Sequence, residues 1–131
     1  MQINLTPEQY EVLIKLVYLG NWVVNGRLTP DERLSDFDKV EELVYAQAGG
    51  IAEKAGLVRD ENGRFFPSAL LEEELMEIVD DYEEDRFWEH LSQRLAYRDL
   101  VEELGEEAVE MMPPKERAEA VYRREERYDR E

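Results

Sequence analysis

Carboxylates are the groups with which this chain could do chemistry: 33 Asp and Glu stand against 16 Lys and Arg, one histidine and no cysteine. The densest stretch, DDYEEDRFWEH at residues 80 to 90, sets six carboxylates around His90, which makes it either a reactive site or a solvated surface. Helical phase favours the surface, because His90 lies off the face formed by Phe87, Trp88, Leu91 and Leu95, so an exposed imidazole is expected. A di-iron Glu-x-x-His arrangement would need a carboxylate where Phe87 stands, and an HExxH zinc site would need a second histidine. With three serines, two threonines and no cysteine beside that one imidazole, a Ser-His or Cys-His nucleophile is poorly supported. No catalytic residue is assigned.

Glu73, Glu74 and Glu77 in EELME resemble the EExxE pattern with which all-α nucleoside triphosphate pyrophosphatases hold magnesium, since Glu residues one turn apart can share a hard cation. That resemblance implies a magnesium-dependent phosphohydrolase as the enzyme alternative. It also implies an ExxD on a second helix, for which the chain offers only Glu103 with Glu106 and Glu107 with Glu110. DENG at 60 to 63 fails as a calcium loop, because Val58 and Ala69 occupy the first and twelfth positions. The order of elements between residues 37 and 66 matches the outline of a winged helix-turn-helix. Its recognition segment, GIAEKAG, has one lysine and no Arg, Asn or Gln for base edges.

The most informative feature is a stripe. Glu73, Glu77, Asp80 and Glu84 recur at i, i+4, i+7 and i+11 with no compensating base on that face, and like charges so spaced cost a few tenths of a kcal/mol per pair. A solubilising face is one reading. The other is that the stripe, within an acidic face spanning residues 73 to 89, meets arginines: Arg117, Arg123, Arg124 and Arg127 of the closing helix, in one chain or across a homodimer, or those of a basic protein partner.

These residues need helices to position them. TPEQ at 6 to 9 reads as a capping box with Pro7 at the first helical position, and Asn25-Gly26 as its helix end. The run YEVLIKLVYLGNWVV is apolar almost all round, so this helix is expected to be central and buried on several sides. LTPDER at 28 to 33 reuses cap chemistry without duplicating the first helix. A second helix should bury Phe37, Val40, Leu43, Val44 and Gln47 and break at Gly49-Gly50, followed by a short helix IAEKA closed by Gly56. LVRDENGRFFP should form a hairpin about Asn62-Gly63, and Pro67-Ser68 should start the next helix.

In that helix, Leu71, Leu75, Ile78 and Tyr82 share one face and Phe87, Trp88, Leu91 and Leu95 another, roughly 170° away. A break at Glu83 to Asp85, with Asp85 as N-cap, is expected, the alternative being one long helix passing between two packed layers. LVEEL stops at Gly105 and EEAVEMM at Pro113-Pro114. The last helix has a thin stripe of Ala118, Val121, Tyr122 and Tyr128 and must dock on something.

The whole is expected to be a compact all-α single-domain bundle of five to seven helices with a minor hairpin near 57 to 66. Residues 1 to 112 should form the helical core and 113 to 131 a C-terminal helix docked on it or on a partner subunit. A formal charge of −17 repels phosphate backbones and anionic lipid, so neither nucleic acid nor membrane is expected as a partner. Residues 60 to 114 carry 18 acids against 4 bases, which places nearly all of that charge mid-chain. The amino terminus has neither a basic n-region nor an unbroken apolar run, and a cytoplasmic location is the expectation. LVYLGNWVVNG, FFPS and DRFWEHLSQRLAYRDLVEELG are together similar to a family of small uncharacterised bacterial proteins. The resemblance covers most of the chain and implies one bacterial intracellular domain, with no activity, cofactor or site attached. The resulting expectation is a non-enzymatic interaction or regulatory module that works through a protein partner or self-association.

Overall fold

The computed structural model describes residues 1–130. It contains five α-helices and one two-stranded hairpin: α1 Pro7–Asn25, α2 Ser35–Ala46, β1 Leu57–Arg59, β2 Phe65–Pro67, α3 Ala69–Leu104, α4 Glu106–Met111 and α5 Pro114–Asp129. The expected all-α class with a minor hairpin holds. Among the described residues no helix is long and apolar enough to cross a membrane. The chain forms two compact units, Met1–Val79 and the part from Asp80 onward, with the boundary inside α3.

In the first unit α1 starts as its sequence requires. The Thr6 hydroxyl accepts from the Gln9 amide at 3.1 Å and the Gln9 side chain accepts from the Thr6 amide at 2.9 Å, which satisfies two of the donors that a helix start leaves free. α1 and α2 run antiparallel, since Asn21 bonds Asp38, Asn25 bonds Leu34 and the Tyr10 hydroxyl donates to the Val44 carbonyl. The core gathers Ile14, Tyr45, Ala48, Ala52, Ala55, Leu57, Leu71 and Leu75. Between α2 and the hairpin the chain makes a short 3-10 turn, Gly49–Ile51, and further turns in place of the expected helix. Gly56 ends them at φ +87°, a conformation that costs glycine little, and Leu71 Cβ lies 3.1 Å from where a Cβ would stand. The hairpin pairs Leu57 with Pro67 and Arg59 with Phe65, and turns through Gly63 at φ +78°. The Ser68 hydroxyl then accepts from the Leu71 amide at 3.2 Å, capping α3.

Two expected faces are corrected. α1 is not enveloped: Val12, Leu16 and Val23 are exposed, and only Ile14 and Asn25 are fully buried. α2 turns Tyr45, Val44 and Glu41 inward and leaves Phe37, Val40, Leu43 and Gln47 outside. The Tyr45 ring takes the central place because its hydroxyl finds an acceptor in Glu41 at 2.9 Å, so a residue readable as amphipathic surface packs as core.

α3 is one uninterrupted helix of 36 residues, so Asp85 is mid-helix and not an N-cap. The expected break rested on a second buried face that includes Phe87 and Trp88, and both are more than half exposed. The residues buried in that part are Ser92, Ala96 and Leu100, spaced four apart, with Leu91 and Leu95 half-buried beside them. Bulk misled the periodicity; small side chains mark the packed face. Within the second unit Gly105, at φ +85°, separates α3 from α4, and α4 buries Val109. α5 docks on α3 through Arg124 to Glu103 and through the Tyr128 hydroxyl, which donates to Asp99. Its inward positions include Arg117, Val121, Arg124 and Tyr128, while Ala118 and Tyr122 stay outside.

Candidate functional site

The residues of DDYEEDRFWEH are all exposed except Arg86, which is half-buried, and His90 lies within 2.9 Å of the Arg86 guanidinium. Arg86 also pairs with Glu89 at 2.7 Å along the same helix. The stretch is a hydrated helix surface. Glu73, Glu77, Asp80 and Glu84 are exposed on α3 and have no ion-pair partner among the described residues. Two of the closing-helix arginines are otherwise engaged: Arg124 pairs with Glu103 and donates to the Ala120 carbonyl at 2.8 Å, and Arg117 donates to the Met112 carbonyl at 3.2 Å. Arg123 and Arg127 are exposed.

Glu73 and Glu77 of the magnesium-type set stand free in solvent, while Glu74 pairs with Lys15 at 3.0 Å. Glu106, Glu107 and Glu110 are exposed on α4, and Glu103 is committed to Arg124. Among the described residues no three His, Asp or Glu side chains are grouped as metal ligands.

The concavity that sequence reasoning missed lies between α1 and α2. It has a volume of about 490 Å³ and is lined by Val17, Gly20 and Val24 from α1 and by Phe37 and Val40 from α2. Asp36 and Glu41 join the lining and bring two carboxylates to an otherwise apolar surface. The apolar exposure continues along α1, with Leu16 at 60% and Val23 at 69%, four residues before and three after Gly20. Apolar side chains clustered like this in water are what an interaction surface presents. The signal was in the sequence: α1 is apolar around most of its circumference, more than one core can bury.

A polar clamp fixes the groove. Asn25 is fully buried, its Oδ1 accepting from the Leu34 amide at 2.8 Å and its Nδ2 donating to the Leu34 carbonyl at 3.2 Å and to Asn21 Oδ1 at 2.6 Å. Asn21 in turn donates to Asp38 at 2.8 Å, and Arg33 grips the same carboxylate with two nitrogens at 2.6 and 3.0 Å. The Arg33 fork, then the Asn21 amide, hold the Asp38 carboxyl down at about 2. Burial acts oppositely on Glu41 and raises its pKa, against the hydrogen bonds that stabilise its charge. Glu41 also borders a polar pocket of about 240 Å³ with Tyr18, Arg33 and Glu72. Arg33 spends Nε and Nη2 on Asp38, so the network holds α2 against α1 before it offers anything to a substrate.

In the second unit a groove of about 540 Å³ is lined by Tyr97, Val121 and Tyr122, with Arg117 beside them. No family model, curated protein or solved structure matches the chain.

Proposed function

We propose that this chain is a non-enzymatic protein interaction or regulatory module that recognises a basic protein. The observation that carries the reading is the apolar groove between α1 and α2, open to solvent in a chain of formal charge −17. Removing apolar area from water contributes about 25 cal/mol per Å² before the entropic costs of association are subtracted, while the acidic surface selects a partner of opposite sign. The stripe of Glu73, Glu77, Asp80 and Glu84, within the acidic face of residues 73 to 89, supplies a long-range part of that attraction, since those carboxylates are exposed and lack ion-pair partners among the described residues. Self-association as a homodimer is the competing form, with the exposed Arg127 meeting the stripe of a second copy, joined by Arg117 and Arg124 only if they give up Met112, Ala120 and Glu103.

The test uses the whole chain as bait in a lysate of its own cells, beside a variant carrying Glu73→Gln, Glu77→Gln, Asp80→Asn and Glu84→Gln. A basic protein retained by the first and lost from the second, and released as salt screens the charges, is the expected result. Identical proteins on both baits would overturn the electrostatic part. Sedimentation at low and high ionic strength separates the homodimer, which would dissociate as salt rises.

A further inference from the structure

We infer that the α1–α2 groove seats one helix of a basic partner protein, apolar face down, with the partner's backbone passing close over Gly20. The inference rests on the interaction-module reading and names the partner's chemistry and its seat.

Gly20 is the first observation. It lies inside α1, where glycine is among the least favourable residues, and its backbone is not in the left-handed region that would call for one. A Cβ built on it meets nothing within 4 Å, so packing within the chain does not require glycine either. A position that lines a groove and lacks a side chain is what lets a second backbone come close.

The second observation is the extent of the apolar surface. A small molecule filling about 490 Å³ would leave Leu16 and Val23 wet. A helix would cover them, because Leu16, Gly20 and Val23 share one stripe of α1 and the channel between two antiparallel helices accepts the ridge of a third. The third is charge. Asp36 and Glu41 line the groove, and Lys39 is the one base on α2, so basic side chains flanking the partner's apolar stripe meet carboxylates.

The probe is a synthetic 18-residue helix with leucines at i, i+4, i+7 and i+11, four lysines flanking that stripe and alanines elsewhere, against a peptide of the same composition in scrambled order. Binding to the full chain is followed by amide chemical shifts. The expected result is shifts centred on Gly20 to Val24 and Asp36 to Val40, with affinity falling about tenfold or more in Gly20→Leu and in Val40→Glu. Val40→Glu is diagnostic, because it adds a negative charge and would strengthen a purely electrostatic association with lysines. Val40→Ser reads the same contact without a charge should the glutamate variant lose its helical signal. Binding that ignores the groove variants but vanishes with the stripe variant overturns the groove as the helix's seat and leaves only the electrostatic part of the module reading, carried by the stripe. No binding of the patterned peptide, or equal binding of the scrambled one, overturns the inference. The same shifts appearing with protein concentration alone would give the seat to a second copy and overturn it also.

Discussion

Replacing Asn25 tests whether the groove is held open by the clamp. Its amide makes three hydrogen bonds from a fully buried position, at 2.6, 2.8 and 3.2 Å. At about 1 kcal/mol net for each neutral bond, Asn25→Ala should cost about 3 kcal/mol, and more where the Leu34 peptide is left without water. Asn25→Asp sharpens the test. The new carboxylate keeps the Leu34 amide donor but faces the Leu34 carbonyl and Asn21 Oδ1, neither of which can donate, so burial and those acceptors raise its folded pKa above the unfolded value of about 3.9. A raised carboxyl pKa means that stability is lost as pH rises through it. Asn25→Asp should therefore be less stable relative to wild type at pH 7 than at pH 4. Urea unfolding read by Trp22 fluorescence, in a Trp88→Phe background so that only the first unit reports, gives both numbers. A cost for Asn25→Ala under about 0.5 kcal/mol, or a pH-independent difference for Asn25→Asp, would refute the clamp.

Other consequences are direct. Arg86→Pro should cost about 3 kcal/mol or more in thermal or urea unfolding and reduce the circular dichroism at 222 nm, because residue 86 is mid-helix; a start at Asp85 would have tolerated proline there. Asp38, depressed to about 2, contributes stability that is present above the unfolded carboxyl range and lost as pH falls from about 4 toward 2. Asp38→Asn should flatten that part of the acid titration, while Glu41, whose pKa is raised, works in the opposite sense. Gly20→Ala should stabilise the free chain by about 0.5–1 kcal/mol in the same urea assay, since nothing stands where the methyl goes. Screening the like-charge pairs among Glu73, Glu77, Asp80 and Glu84, each worth a few tenths of a kcal/mol, should slow hydrogen exchange in the middle of α3 as salt is raised.

How far the sequence reached depends on the kind of signal. Local chemistry was legible: the Thr6, Pro7 and Gln9 cap, the Asn62-Gly63 hairpin and the stops at Gly56 and Gly105 lie where their backbone preferences put them. Faces were legible only where side-chain size and burial agree. In α2 the apolar spacing points to Phe37, Val40 and Leu43 as core, but the packed position belongs to Tyr45, whose hydroxyl partner is visible only in three dimensions. In α3 the bulk of Phe87 and Trp88 outweighs Ser92 and Ala96 in the sequence pattern and implies a break that the helix does not have. The acidic stripe was read correctly as surface. The groove was not read at all, because each of its walls was taken for interior.

That error and the charge are connected. A chain that leaves Leu16, Val23, Phe37 and Val40 in water would ordinarily associate with itself, since apolar area finds a partner in any second copy. Seventeen net negative charges oppose that encounter between like molecules and favour it with a basic one, and both effects weaken together as salt shortens the screening length. On the proposed reading the carboxylates around the groove make the apolar surface selective, and neutralising them should increase self-association through α1 and α2, measured by sedimentation.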